Sequence, residues 1–139
     1  MIKIRYYFDT SIWLDLFEDR NEPNLPKGKL VEDLINTIVK NNDIIVYSDL
    51  IIDELSSLGY STYEIEELFK PFLRFLIFTE HTEKHLGKGK DLAAKRKVPL
   101  FDAMHALIAR DTKAIMVTRD KHFMLLVDIV KSKRPEDVT

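Results

Sequence analysis

Four acidic residues stand where the sequence could do chemistry: Asp9, Glu54, Asp102 and Asp120. Asp9 closes the apolar and aromatic run Ile2–Phe8, and Asp120 follows the apolar segment Ala114–Thr118. Glu54 lies among Ile51, Ile52 and Leu55, and Asp102 among Leu100, Phe101, Met104 and Leu107. A carboxylate buried without a partner costs several kcal/mol, so these acids must meet positive charge or reach water. If they converge, a divalent cation relieves their repulsion, and hard oxygen ligands select Mg²⁺ or Mn²⁺. There is no cysteine and the histidines are not grouped with the acids, which disfavours zinc. A cation held this way can polarise a phosphodiester and activate the attacking water, and two ions about 4 Å apart would cover both ends of an in-line displacement. Each acid also has a plainer reading. Asp9 and Asp120 suit turns or caps. Glu54, beside Asp53, suits a solvated helix face, and Asp102 favours a helix dipole. The joint arrangement carries the argument.

The elements that must position these acids can be read from the pattern. Ile2–Phe8 reads as a strand, followed by a helix from Ser11 to Glu18 capped by Thr10 or Ser11. Residues 19–28 carry Asn21, Pro23, Asn24 and Pro26 and read as a loop. Leu30, Leu34, Ile35 and Ile38 give one face to a helix over 29–40. Ile44–Tyr47 is a short apolar strand of the type buried on both faces. Ser48 and Asp49 are candidate caps of a helix ended by Gly59, and Ser61 with Glu64 forms a capping box for the next helix, which stops near Pro71. Leu73–Phe78 reads as the third strand and residues 82–97 as a helix weakened by Gly87 and Gly89. A regular helix follows over Leu100–Arg110 behind Pro99, then a strand at Ala114–Thr118, a short helix at Phe123–Leu126 and a weak strand near Ile129. Alternation of strands and helices without a hairpin signal predicts a three-layer α/β/α sandwich with a mostly parallel central sheet. In such a sheet the strand ends bearing Asp9 and Asp120 open into one crevice.

The hydrophobic fraction, 45% of 139 residues, suffices for one core, and a single domain over residues 1–139 is expected. The absence of cysteine excludes disulfides, thiolate sites and cysteine nucleophiles and makes a reducing cytoplasm the expectation. No segment reads as a signal peptide or a membrane span, so a soluble protein without a membrane partner is expected. A net charge of −2 is not that of a general nucleic-acid scaffold, yet it is compatible with an acidic metal pocket beside a local basic surface.

Four segments, Tyr7–Ser11, Ser48–Leu55, Pro99–Ala109 and Val117–Phe123, resemble in order and spacing the motifs of PIN domains, and of the VapC-like toxin nucleases of bacteria and archaea in particular. The resemblance extends to the late Arg134–Glu136 segment. It implies a PIN-like fold and a metal-dependent endoribonuclease using Mg²⁺ or Mn²⁺. Asp9, Glu54, Asp102 and Asp120 would be the catalytic and metal-binding set. Thr10 or Ser11 would bond water or phosphate, Thr118 would steady Asp120, and His105 would be a positioning or packing residue. Asp49 and Asp53 compete with Glu54 for the second motif. Glu54 is preferred by residue type and position. The resemblance also implies RNA as substrate and a small antitoxin as partner, covering the pocket by inserting an Arg. The alternative function is a catalytically inert PIN-like scaffold that binds RNA or protein. An aspartyl-phosphate hydrolase reading of Asp9 is weaker, because Ser11 stands where a second Asp would be wanted.

Around Lys84–Lys97, six basic residues face two acids. A solvated helix face is the plainer reading. A phosphate-tracking patch centred on Lys95, Arg96 and Lys97 is the sharper one. His81 and His85, four apart, read as exposed surface rather than a chelate. Large apolar groups at Trp13, Leu14, Leu16, Phe17, Leu68, Phe69, Phe72 and Phe75 read as core, with a surplus that would form a homodimer or an antitoxin groove.

Overall fold

The computed structural model describes residues 3–138, so Ile2, the expected start of the first strand, lies outside the described residues. The chain runs β1 (Arg5–Phe8), α1 (Thr10–Phe17), α2 (Lys27–Lys40), β2 (Ile44–Ser48), α3 (Asp49–Ser57), α4 (Thr62–Phe69), a 3-10 turn (Lys70–Phe75) and β3 (Leu76–Thr79). It continues through α5 (Glu83–Arg96), α6 (Leu100–Asp111), β4 (Ile115–Val117), a second 3-10 turn (Lys121–Leu126), β5 (Ser132–Lys133) and a third turn (Pro135–Asp137). The sheet has five strands in the order β3-β2-β1-β4-β5, every pairing parallel.

Parallel strands need crossovers, and here they are helices. The helices α1 to α4 pack among themselves, while α5 packs on α6. Side chains of β1 alternate between the two layers. Phe8 meets Trp13 of α1 with ring centroids 5.1 Å apart, and Tyr7 faces His105 of α6. Trp13 sits at the centre of an aromatic cluster with Phe17, Phe69 and Phe72. In α2 the buried face is Val31, Leu34, Ile35 and Ile38, the i, i+3, i+4, i+7 stripe of an amphipathic helix.

The winding reverses at β1. From there the chain moves to β2 and β3 on one side, then crosses back to β4 and β5 on the other. The carboxyl ends of β1 and β4, neighbours through Phe8↔Val117, flank that reversal. Crevices in open parallel sheets lie at such a point.

Several expected boundaries shift. Leu73–Phe75, read as strand, lies in the 3-10 turn opened by Pro71, and β3 starts at Leu76. No strand forms at Ile129. The edge strand is Ser132–Lys133, which pairs with Met116 and Val117. The cap of α1 is Asp9, not Thr10 or Ser11, because its carboxylate accepts the Ile12 amide at 3.1 Å. Ser48 stands at the N-cap of α3 without a capping bond of its side chain. Among the described residues, no helix is long and apolar enough to cross a membrane.

Gly87 and Gly89 fit inside α5 for different reasons. α5 lies antiparallel on α6, with His85 against Asp111 at one end and Gly89 against Met104 further along. A Cβ on Gly89 would come within 2.7 Å of the buried Met104 Cγ, whereas a Cβ on Gly87 meets nothing within 4 Å. Gly87→Ala should therefore stabilise the protein by about 0.5–1 kcal/mol, the helix cost of glycine. Gly89→Ala should instead lower the urea midpoint through overpacking. Equal shifts in the two variants would show that the α5–α6 spacing is not set by this contact.

Candidate functional site

At the carboxyl edge of the sheet, Asp9, Thr10, Ser11, Glu54, Asp102, His105 and Asp120 line one cavity of about 100 Å³. The four sequence-predicted acids thus come together from β1, α3, α6 and the loop after β4. A volume of this size holds about three waters or ions, not a nucleotide. A substrate would lie across its mouth.

Asp9 is the most enclosed of the four, 6% exposed. Its Oδ1 accepts from Ser11 Oγ at 2.7 Å and from the Ile12 amide, and its Oδ2 accepts from Thr118 Oγ1. The Thr118 oxygen in turn accepts the Asp120 amide at 2.9 Å. One hydroxyl therefore joins the ends of β1 and β4. Burial pushes the Asp9 carboxyl above the usual carboxylate range, against the lowering effect of its three hydrogen bonds.

Glu54 terminates a polar chain that crosses the sheet. Its Oε1 accepts from Thr10 Oγ1 at 3.0 Å and from His105 Nε2. His105 Nδ1 lies 2.6 Å from the Tyr7 hydroxyl, itself 2.6 Å from Ser48 Oγ. One proton arrangement satisfies the whole series: Ser48 donates to Tyr7, Tyr7 to Nδ1, and Nε2–H to the carboxylate. Burial holds the Tyr7 hydroxyl well above its ordinary range, so it keeps the proton it donates. This chain separates Glu54 from its rivals. Asp53 is exposed, and Asp49 is bonded through both oxygens to His81, at 2.8 Å to its amide and 2.6 Å to Nδ1.

Asp102, in the first turn of α6, is half-buried. Burial first and the nearby Asp120 second push its carboxyl up, against a lowering contact from His122. Asp120 caps the second 3-10 turn through the His122 amide at 2.9 Å. His122 Nδ1 lies 2.9 Å from Asp102 and 3.1 Å from Asp120, and the Asp102 contact leads the causes that raise its pKa. Among the described residues, no Lys or Arg nitrogen lies within 4.0 Å of the four cavity acids. The buried Asp15, on α1 six residues beyond Asp9, instead has Arg20 at 3.9 Å and Arg119 at 4.0 Å.

Tyr7, Ser48 and His122 are site residues that residue type alone does not single out. The signal for His122 was its position two residues after Asp120. Tyr7 and Ser48 carried none. Thr10 and Ser11 direct their hydroxyl protons at carboxylates. Of the basic group, Lys95 and Lys97 are exposed, while Arg96 is engaged by Asp128 at 2.7 and 2.8 Å and by the Leu125 carbonyl. The histidines read as exposed are neither bare nor paired with each other. His81 precedes α5 and bonds Asp49, and His85 bonds Asp111 at 2.8 Å. In the Arg134–Glu136 segment, Glu136 pairs with Arg119 at 2.8 Å, next to Asp120 in the chain.

Comparison with solved structures finds the same fold in chains of low identity. VapBC2 from Rickettsia felis, bound to a promoter DNA fragment, aligns with TM-score 0.68 and 16% identity, covering 94% of this chain and 98% of that one. A toxin–antitoxin complex from Klebsiella pneumoniae aligns with TM-score 0.66 and 20% identity over 94% and 97%. FitAcB from Neisseria gonorrhoeae aligns with TM-score 0.63 and 16% identity over 96% and 99%. Comparison with curated protein sequences finds no significant match. The PIN domain family model matches residues 6–126, and the chain belongs to the PIN domain family.

Proposed function

We propose that this chain is a Mg²⁺- or Mn²⁺-dependent endoribonuclease that hydrolyses RNA phosphodiesters and serves as the toxin of a toxin–antitoxin pair. The observation that carries this reading is the convergence of Asp9, Glu54, Asp102 and Asp120 on one small cavity where, among the described residues, no Lys or Arg nitrogen comes within 4.0 Å of them. Family membership and the fold shared with the Klebsiella toxin–antitoxin complex support it.

The donor set fits a hard divalent cation: carboxylate oxygens from separate segments, two of them on groups whose burial makes ionisation costly. Asp9, Glu54, Asp102 and Asp120, which line the cavity, would hold the ion. When bound, it supplies Lewis acidity toward the phosphodiester and the attacking water. The protein's own part is orientation. Thr118 fixes Asp9 and the Asp120 backbone together, Ser11 aims the other Asp9 oxygen, and Thr10 with His105 clamps Glu54. Phosphates leading to the mouth would be met by Lys95 and Lys97, at the end of α5 that adjoins the start of α6 and Asp102. An antitoxin or a second copy of the chain would cover the apolar groups left exposed at Tyr63, Leu73, Ile77 and Phe78.

The deciding experiment is sequencing of RNA ends produced by purified protein with Mn²⁺. Defined cleavage should fall by about a hundredfold or more in Asp9→Asn or Asp102→Asn, since loss even of an outer partner in a metal site costs up to that factor. Cleavage that survives both substitutions would eliminate the reading, and an inert scaffold would give none from the start.

Melting measures the site independently. Burial raises Asp9, so the folded protein holds that proton more tightly than the unfolded chain does. Its stabilising contribution is present below the unfolded carboxylate range and is lost as pH rises through the raised folded value. In chelator at neutral pH, Asp9→Asn should therefore melt above wild type, and the gain should shrink as pH falls towards about 4. Mn²⁺ at a hundred times its Kd should stabilise wild type by about 2.7 kcal/mol and leave Asp9→Asn unmoved. An equal response of both proteins to Mn²⁺ would remove Asp9 from the ion's ligands.

For the basic patch, the paired substitution Lys95→Ala with Lys97→Ala should flatten the log–log salt dependence of RNA binding by about 1.4, or 0.7 for each phosphate contact with a single strand. An unchanged slope would return both lysines to the solvated surface.

A further inference from the structure

The turn after β4 brings a nitrogen to the carboxylates. Asp120 caps it by accepting the His122 amide, and the neighbouring Phe123, 1% exposed, anchors it in the core. The His122 ring is thereby folded back between two acids from different segments, 2.9 Å from Asp102 and 3.1 Å from Asp120. Donor atoms of Asp102, Asp120 and His122 all lie within 4.8 Å of one another, the spread of ligands around a single ion. A nitrogen shared by two carboxylates lies beside the position that a cation shared by them would take.

His105, the other histidine at the cavity, cannot serve in this way. Its two nitrogens are committed to Glu54 and Tyr7, and its ring is 1% exposed. The His122 side chain is 44% exposed, and among the described residues its ring's polar partners are the two acids, which an ion would engage as well.

We infer that His122 is a nitrogen ligand of the divalent cation held by Asp102 and Asp120, and that the site therefore takes Mn²⁺ in preference to Mg²⁺. The inference rests on the metal reading under Proposed function. A cage of carboxylates alone offers hard oxygen, which suits Mg²⁺ with its demand for near-ideal octahedral oxygen ligands. Imidazole shifts the balance towards transition metals, and Mn²⁺ stands at the entry of that series. The two aspartates then fix the ion's charge balance, while the histidine sets which ion is retained.

The test uses the full chain and the metal alone. Pulsed electron paramagnetic resonance of bound Mn²⁺ should show the coupling of a directly ligated ¹⁴N in wild type and none in His122→Gln. Calorimetric titration should show the Mn²⁺ Kd rising about tenfold in His122→Gln, with the Mg²⁺ Kd changing less than about threefold. Bound Mn²⁺ without nitrogen coupling in wild type overturns the ligand assignment and leaves the metal site standing. Coupling that persists in His122→Gln does the same, and this includes the case in which it vanishes only in His105→Gln. Failure of wild type to bind Mn²⁺ at all overturns both the ligand assignment and the metal reading. The wild-type spectrum decides the matter even if a variant folds poorly.

Discussion

Negative charge drawn together and partly removed from water is the constraint around which the cavity is arranged. Asp9 is nearly sealed, and Asp102 is half-buried with Asp120 nearby. Both carboxyls are pushed up, first of all by burial. The interaction that keeps the arrangement together is the Thr118 hydroxyl, which donates to Asp9 and accepts from the Asp120 amide. It works because β1 and β4 are adjacent parallel strands in fixed register, so the two strand ends cannot drift apart. The sheet provides the rigidity, and the hydroxyl transfers it to the acids.

Glu54 is held by a different device. It projects from the middle of α3, a position with no strand end to fix it. The series Ser48, Tyr7, His105 and Glu54 ties that helix to β1 and α6 through consecutive hydrogen bonds. Tyr7, His105 and Glu54 are each held by two partners, and a break between Tyr7 and His105 leaves a buried polar group unpaired. Such networks are costly when half satisfied and rigid when complete. His105 therefore acts on the cavity through Glu54, and Tyr7 acts through His105.

Much of this was legible in the sequence, for identifiable reasons. A mostly parallel sheet follows from short apolar strands alternating with periodic helices, and the meeting of Asp9 and Asp120 from their places at strand ends; the structure makes every pairing parallel. What was missed depended on partners distant in the chain or on weak local signals. Leu73–Phe75 is as apolar as a strand, and only the placement of Pro71 at the head of a tight turn makes it 3-10. The edge strand Ser132–Lys133 has no β-branched residue and exists because β4 offers it hydrogen bonds. His81 and His85 looked like surface because Asp49 and Asp111, which hold them, lie 32 and 26 residues away. Site acid and helix cap stand as alternative readings of Asp9 in the sequence, with Thr10 and Ser11 as rival caps, and the structure gives Asp9 the cap while keeping it at the cavity.

That double duty bears on what the cavity requires. Asp9 and Asp120 each cap a turn of helix, and Asp102 lies in the first turn of α6, so all three face the positive end of a helical segment. Such an end contributes about 0.3–1 kcal/mol to a nearby anion. Taking a carboxylate out of water costs several kcal/mol. The helix ends therefore soften the repulsion without cancelling it. Asp15 shows another answer of the same fold to a buried carboxylate: Arg20 and Arg119 stand about 4 Å from it, and burial still pushes its carboxyl up, against the lowering effect of Lys27, Arg20 and Arg119. The acids of the cavity are given hydroxyls, amides and two imidazoles instead. Hydroxyls and amides can orient a carboxylate but cannot neutralise it. The fold thus treats its enclosed carboxylates in two ways: arginines stand at Asp15, while among the described residues the cavity acids have only orienting hydroxyls and amides and the His105 and His122 imidazoles.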